Sequence, residues 1–270
     1  MQCLRVLRIA FLALAACALT APGACAAPAS NQLEELTWTE VRDRIAAGST
    51  TILVPIGGTE QNGPYMAIGK HNVRARFFAN AIAARLGNAL VAPVIAYVPE
   101  GSIHPPAAHM RFAGTISISE SAFEAMLEST ARSFKQHGFR DVVFLGDHGG
   151  YQKNMQHVAE RLAGDPSFRV HAYTAFYQAT QGPYIAALKR LGYSDADIGT
   201  HAGLADTSLA LAADPALVRA GALADAPKPG PADGVQGDPR KASRALGELG
   251  AAQIIQTSAA GIAQLTRKAR

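Results

Sequence analysis

The sequence predicts an α/β domain in which a parallel or mostly parallel sheet is covered by helices on both faces. Two short segments, TILVPI at 51–56 and DVVFL at 141–145, are apolar and rich in β-branched residues, as buried strands are. Segments with helical periodicity alternate with such strands along the first two thirds of the chain. That alternation is typical of parallel sheets, because helical crossovers join their strands and cover their faces.

The expected elements follow in chain order from periodicity and from their end signals. Gly87 closes a helix over 72–86. Ser119 begins a helix over 119–137, whose apolar residues line one face. Further helices are expected at 38–47, 152–162, 184–191 and 239–268, with another beginning at 207. Strands are expected at 51–56, 90–98, 141–145 and 168–176, and loops at 99–113 and 225–238.

The expected loop at 99–113 is long for a compact domain, and such loops usually have a function. It contains His104 and His109, and either side chain could form the wall of a pocket.

The composition indicates one large folded domain. The chain has 270 residues, of which 49% are hydrophobic and 17% charged, and nothing in its middle resembles a linker. It has 25 basic and 21 acidic residues, and two of the basic ones, Arg5 and Arg8, lie in an expected leader. This near balance, with no basic run between aromatic residues, argues against a nucleic-acid partner.

Residues 1–27 are predicted to be a secretory signal peptide, and residues 28–270 the mature domain. Two arginines and no acid precede a short apolar stretch, and small residues follow it. The stretch is too short to span a bilayer, so no transmembrane segment is expected in the mature chain. ACA at 24–26 fits a signal-peptidase site, whereas LAAC at 14–17 fits a lipoprotein site. The protein is therefore expected to be exported to the periplasm, either free or anchored by a lipid on Cys17.

The three cysteines of the chain are Cys3, Cys17 and Cys25, and all of them lie in the expected leader. The mature domain would then have no cysteine. That excludes disulfides, thiolate zinc ligands and a cysteine nucleophile.

Polar side chains follow the two clearest strands at the point where each strand ends. Glu60 and His71 come after the first of them, and Asp147 and His148 come directly after the second. Active sites of open α/β sheets lie at the carboxyl ends of the strands, so these groups are expected to meet. Neutral imidazole and carboxylate are ligands of Zn²⁺ and Mn²⁺, and three of them with an open position make a catalytic metal site.

His201 and Asp206 join this group as candidate catalytic residues, and several candidates have an ordinary structural alternative. Glu60 could cap a turn or a helix, and Asp206 could equally be the N-cap of a helix. His148 stands before paired glycines, which let the backbone approach a ligand closely. These alternatives stay open on the sequence alone.

Five segments of the chain resemble motifs of one known family. In order, they are GGTEQNGPYMAIGKHN, FAGTISIS, LGDHGG, HAGLADTS and GVQGDPRKAS. Their order and spacing resemble the creatininase family of metal-dependent amidohydrolases over about residues 35–265. The resemblance implies a three-layer α/β/α sandwich with a mostly parallel sheet, commonly assembled as a hexamer. It also implies that the substrate is a small molecule in which a C–N bond of a cyclic or linear amide is hydrolysed.

The family binds a pair of divalent metals, and this sequence departs from its ligand pattern. Glu60 and His148 match two of the ligands. Asn62 stands where the family has a histidine, and His71 stands where it has a bridging aspartate. An imidazole cannot bridge two metals as a carboxylate does, because it offers one lone pair in its plane. We therefore expect one ion, Zn²⁺ or alternatively Mn²⁺ or Fe²⁺, held by Glu60, His71 and His148.

The expected activity is that of a metal-dependent amidohydrolase in which a metal-bound hydroxide attacks the amide carbonyl. His201 or Asp206 would carry the proton to the leaving nitrogen. Asp147 would orient an imidazole or protrude into the pocket. The alternative is a catalytically silent periplasmic protein of the same fold that binds a metal or a small molecule, which the altered ligand positions favour.

Overall fold

The computed structural model describes residues 30–267, which form a four-stranded sheet between two layers of helices. The strands are β1 (Thr51–Ile56), β2 (Ala89–Val91), β3 (Asp141–Gly146) and β4 (Arg169–Ala172). Their order across the sheet is β2-β1-β3-β4, and every neighbouring pair is parallel. The expected α/β class with a parallel sheet is confirmed. The predicted leader, 1–27, lies outside the described residues.

The helices connect these strands and then build a helical C-terminal third. They are α1 (Trp38–Ala46), α2 (Lys70–Leu86), α3 (Glu120–Gln136), α4 (Gln152–Arg161), α5 (Ala175–Gln181), α6 (Pro183–Arg190), α7 (Asp195–Ile198), α8 (Leu204–Ala213), α9 (Ala220–Ala224) and α10 (Arg244–Thr266). Among the helices of residues 30–267, none combines the length and the apolar character that crossing a membrane requires.

Successive residues of β1 enter two separate hydrophobic cores on opposite faces of the sheet. Leu53 packs in the first core, with side chains of α2, α5, α6, α8 and α10. Ile52 and Val54 pack in the second core, with side chains of α3 and α4. Side chains of a strand alternate between its faces, and here both faces are covered by helices. Every residue of β1 and β3 is buried as a result.

Local signals determine where several helices begin and end. Thr37 and Glu40 form a reciprocal capping box at the start of α1, in which each side chain accepts a hydrogen bond from the other residue's backbone N–H. The hydroxyl of Ser119 accepts the N–H of Ala122 at 3.2 Å and so caps α3. Gly87 ends α2 in the left-handed conformation, with a φ of 74°. These end signals act over three or four residues, which is why they can be read from the sequence.

Some boundaries differ from expectation. The expectation of a strand through 176 is wrong, because β4 ends at Ala172 and α5 begins at Ala175. A short apolar run suits a strand and a buried helix equally well, so periodicity could not separate them. β2 is shorter than expected, and it ends two residues before Pro93, whose ring nitrogen cannot donate to a strand ladder. α10 begins at Arg244 rather than at 239, because Pro239 belongs to a separate 3₁₀ turn.

Candidate metal and catalytic site

The candidate site lies at the carboxyl edge of the sheet, where β1 and β3 end side by side. The segment after β1 carries Glu60 and leads into α2, which begins with Lys70 and His71. α2 starts two residues earlier than expected, so these two side chains are in its first turn and buried. The segment after β3 carries Asp147 and His148. Parallel strands deliver their following loops to one edge, so these groups lie close together.

Four side chains direct oxygen and nitrogen atoms at a common space. They are Glu60, Glu100, His109 and His148, and one ligand atom from each lies within 4.8 Å of the others. We call these four residues the converging set. Oε2 of Glu60 is 3.1 Å from Nε2 of His109 and 3.5 Å from Nε2 of His148. Two carboxylates and two imidazoles suit a divalent ion of the zinc, iron or manganese type.

The buried oxygens of the converging set lack hydrogen-bond donors. Oε2 of Glu60 and both carboxylate oxygens of Glu100 are buried, and no described residue donates a hydrogen bond to them. Burial, together with the negative charge of Glu60, raises the pKa of Glu100 to about 9. Two adjacent buried carboxylates need a proton or a cation between them, and a divalent ion would satisfy both. The residues present therefore fit a metal ion.

The loop after β2 brings Glu100 and His109 to the strand ends. The backbone N–H of Glu100 donates to the hydroxyl of Ser117 at 3.0 Å. Gly58, just after β1, has a φ of +150°, and a Cβ there would lie 2.3 Å from Oε1 of Glu100. Glycine is thus required for the close approach of Glu100 to the end of β1. Nε2 of Gln61 lies 3.2 Å from Nδ1 of His109 and holds that ring from the other side.

His71 lies beside Glu60 and uses both of its ring nitrogens on carboxylates. Nε2 donates to Oε1 of Glu60 at 2.8 Å, and Nδ1 donates to Oδ2 of Asp147 at 2.6 Å. Burial and the charge of Lys70 act to lower the pKa of His71, but these two hydrogen bonds outweigh them and raise it. His71 is not a member of the converging set. Both ring nitrogens of His71 are thus engaged by carboxylate oxygens, one of Glu60 and one of Asp147.

A buried network of charged side chains continues away from the cavity side of the site. Arg74 donates to Oδ1 of Asp206 at 2.6 Å and to Oδ1 of Asp147 at 3.1 Å. Nζ of Lys70 donates to Oδ2 of Asp206 at 2.5 Å. Burial acts to raise the pKa of Asp206, but the charges of Lys70 and Arg74 hold it well below its usual value. Each of these charges is thereby paired with an opposite one, and only the side chain of Asp206, at 22% exposure, reaches solvent.

His201 faces a cavity of about 350 Å³ that borders the converging set. The polar groups of the cavity wall include Gln61, His109, Arg111, His148, His201 and Gln236. Nε2 of His201 donates to the backbone oxygen of Gln61 at 3.0 Å. Burial, and then the charge of Lys70, lowers the pKa of His201 to about 4, so its imidazole is neutral at neutral pH. Its Nδ1 then has a lone pair that can accept a proton.

The six site residues predicted from the sequence occupy three places in this arrangement. Glu60 and His148 belong to the converging set. His71, Asp147 and Asp206 lie in the buried network, and His201 lies in the cavity wall.

The sequence patterns do not single out Glu100 or the two buried cations, Lys70 and Arg74. His109 was expected only as a possible pocket wall, and it lies in the converging set. The available signal for Glu100 was an acidic residue in the same long loop as two histidines. Asn62, which the sequence singles out as a departure from the ligand pattern, donates to the backbone oxygen of Glu60 at 3.0 Å and so shapes the turn.

Comparison with known proteins finds one family. Residues 34–265 match the creatininase family model, which is described as creatinine amidohydrolase. Creatinine amidohydrolase of Pseudomonas putida is 28% identical over 257 residues, which cover 87% of this chain and 95% of that protein. A mycofactocin precursor peptide peptidase of Mycolicibacterium smegmatis is 33% identical over 117 residues, which cover 42% of this chain and 43% of that protein.

Solved structures of the same kind share the fold. A crystal structure of creatinine amidohydrolase (creatininase) has a TM-score of 0.71 at 28% identity and covers 89% of this chain and 100% of its own. A structure described as creatininase Mn has a TM-score of 0.70 at 28% identity and covers 88% and 100%. A mutant creatininase of Zn-Zn type has a TM-score of 0.70 at 26% identity and covers 88% and 99%. The three-layer fold expected from the sequence is confirmed.

Proposed function

Because this chain belongs to the creatininase family, we propose that it is a metal-dependent amidohydrolase acting on a non-peptide C–N bond of a small cyclic or linear amide. The converging set carries the proposal. It combines four potential ligands, three donorless buried oxygens and an adjoining cavity of small-molecule size.

One divalent ion would be held by Glu60 and His148 together with Glu100 and His109. The ion would be Zn²⁺, or alternatively Mn²⁺ or Fe²⁺, since this donor set suits all three. When bound, such an ion polarises an amide carbonyl and lowers the pKa of a coordinated water towards about 7. The sequence-based assignment shares Glu60 and His148 but takes His71 as the third ligand, and the hydrogen bonds of His71 favour the four-residue set.

The other polar residues would position the reacting groups and move the proton. His201 is the candidate that would carry a proton to the leaving nitrogen, because its neutral imidazole lies in the cavity wall. Asp206, which accepts from both Lys70 and Arg74, suits a positioning role better than proton transfer. Asp147 would orient His71, which in turn holds one oxygen of Glu60.

The test combines elemental analysis of the purified protein with an activity screen. The screen measures ammonia or amine release from a panel of lactams, formamides and simple amides, in which each class includes neutral and carboxylate-bearing members. We expect about one equivalent of a divalent metal per chain and hydrolysis of at least one class. A His148→Ala variant should lose both the metal and the activity, whereas His137→Ala, an exposed histidine at the end of α3, should keep both.

The two failures of this test have different meanings. Metal bound without hydrolysis of any class would favour the alternative of a catalytically silent binding protein. Purified protein that takes up no metal from a solution of Zn²⁺ or Mn²⁺ would contradict the metal site itself.

We propose further that residues 1–27 direct export to the periplasm and that the mature chain is a homo-oligomer, a hexamer by family resemblance. Fractionation of the producing cell tests the first statement, and lipid labelling with a Cys17→Ser variant separates the anchored form from the free one. Light scattering of the purified protein tests the second, and a monomeric mass would contradict it.

A further inference from the structure

The wall of the cavity carries one permanent charge, and that charge is positive. Arg111 contributes it, and no aspartate or glutamate is among the described residues that line the cavity. The nearest acids of the converging set, Glu60 and Glu100, are buried at 0% and 3% exposure. A small molecule that enters the cavity therefore meets a cation in the wall and no anion.

Arg111 is held at one end of its guanidinium and free at the other. It closes the 3₁₀ turn Ala108–Arg111, and its Nε donates to the backbone oxygen of Ala108 at 3.2 Å. Within residues 30–267, neither terminal nitrogen of this guanidinium has a hydrogen-bond or ion-pair partner. The free edge of a guanidinium matches a carboxylate, which it binds through two parallel hydrogen bonds.

The position of Arg111 relates it directly to the converging set. His109 precedes it by two residues on the same turn, and residues of a 3₁₀ helix rise by about 2 Å each. Nε2 of His109 is in turn 3.1 Å from Oε2 of Glu60. Arg111 also lines the same cavity as His109 and His148 of the converging set. The cavity of about 350 Å³ is at the lower end of the range for small-molecule sites.

We propose that the substrate carries a carboxylate, which Arg111 binds while the scissile amide lies over the converging set. The substrate class is then that of small amides of dicarboxylic or amino acids rather than neutral lactams and amides. Arg111 is a specificity-determining residue and does not touch the reacting atoms. The inference rests on the proposed function for the amide end of the substrate, whereas the carboxylate end depends on Arg111 alone.

The experiment uses three pairs of compounds that differ only at one end. They are malonamate and malonamide, succinamate and succinamide, and glutaramate and glutaramide. Calorimetric titration of the purified protein as isolated gives the dissociation constant of each compound, and ammonia release gives its hydrolysis. For at least one pair we expect the acid to bind at least tenfold more tightly than the diamide.

Variants of Arg111 decide whether the preference arises there. Arg111→Gln should bring the acid-to-diamide ratio close to one. Arg111→Lys keeps the positive charge but cannot form the two parallel hydrogen bonds of a guanidinium, so it should give an intermediate ratio. Arg85→Gln removes one exposed positive charge in the last turn of α2 and should leave the native ratio unchanged.

The outcomes separate this inference from the proposed function. No preference in any pair, or a preference that persists in Arg111→Gln, overturns the role of Arg111. A preference that depends on Arg111 without hydrolysis of any compound supports the carboxylate site and counts against the amidohydrolase. Equal hydrolysis of acids and diamides supports the amidohydrolase and overturns the carboxylate site.

Discussion

Two clusters of charged side chains, one buried at the site and one on the surface of the α3–α4 layer, have the same chemistry and different surroundings. In the buried network, the side chains of Lys70 and Arg74 are 0% and 2% exposed. In the surface cluster, Glu124 receives hydrogen bonds from Arg161 at 2.7 Å and from Asn154 at 2.9 Å. The side chain of Arg161 is 45% exposed.

The hydrogen-bond lengths of the two clusters are similar. Any difference in how much the two clusters stabilise the fold must therefore come from solvation. A charge at the surface exchanges its partner for water at little cost, and dissolved salt screens what remains. A charge that loses its partner in the interior stays desolvated and unpaired, which costs several kcal/mol. The buried network therefore holds the site in place, whereas the surface cluster contributes little, and four variants test this difference.

The largest effect is expected from removing a cation of the buried network. Arg74→Met leaves Asp147 and Asp206 without the guanidinium that joins them. We expect the free energy of unfolding in urea at neutral pH to fall by about 3–5 kcal/mol. The matched surface variant, Arg161→Met, should lose less than about 1 kcal/mol. Equal losses of unfolding free energy in the two variants would show that burial does not change how much a cluster contributes to stability.

A smaller effect is expected from His71→Gln. His71 donates one hydrogen bond to Glu60 and one to Asp147, and the substitution leaves one of these two carboxylates without its donor. A buried carboxylate oxygen without its donor costs about 1–3 kcal/mol, and the unfolding free energy should fall by that amount. Metal content should stay unchanged, because the converging set is intact. The exposed counterpart, His157→Gln, should change stability by no more than about 0.5 kcal/mol. Loss of the metal with unchanged stability would instead identify His71 as a ligand.

The next effect concerns the metal rather than the fold. Glu100→Gln keeps the shape of the side chain but removes its negative charge, so metal affinity measured against a chelator should fall at least tenfold, or about 1.4 kcal/mol. The metal-free protein should keep its stability within about 1 kcal/mol, because the native carboxyl has no hydrogen-bond donor to lose. The exposed Glu248→Gln serves as the control. Unchanged metal affinity would show that Glu100 is not a ligand.

The smallest effect is expected in the surface cluster and depends on pH. The hydrogen bond from Arg161, followed by that from Asn154, lowers the pKa of Glu124 from its ordinary value of 4.5 to about 2. A carboxyl whose folded-state pKa is depressed stabilises the fold above its unfolded pKa, and this contribution disappears as the pH falls towards about 2. Glu124→Gln should thus cost less than about 1 kcal/mol at pH 7 and progressively less as the pH falls below about 4 towards 2, measured by urea unfolding. If the loss of unfolding free energy in Glu124→Gln grew as the pH fell, the pKa of Glu124 would not be lowered in the folded state.

Much of the fold could be predicted from the sequence because its signals are local. β1 and β3 are apolar runs of the expected length, and Ser119 and Gly87 mark helix ends within one turn. Segments whose identity depends on packing were less predictable. The residues around Phe176 are apolar enough for a strand or a helix, and only the neighbouring helices of the first core decide between them.

The candidate site, like the fold, has residues whose positions could be predicted from the sequence and others whose contacts could not. Glu60 and His148 could be predicted because each follows a strand of a parallel sheet within a few residues, so the topology brings them to one edge. The pairing of His71 with two carboxylates could not, because its partners lie 11 and 76 residues away in the chain. On the sequence alone, a histidine in that position is consistent both with a metal ligand and with a partner of two carboxylates.

The sequence by itself determined the α/β class, the parallel sheet and the placement of Glu60 and His148 beyond two neighbouring strand ends, because periodicity and strand topology are properties of short segments. Only the tertiary structure decided that Glu100 and His109 face them. The loop after β2 has no period of its own, and its path depends on contacts such as the one between Gln61 and His109, 48 residues apart. Side chains brought together by a loop of this kind leave no regular spacing in the chain, so the composition of the site emerges only when the loop is folded against the sheet.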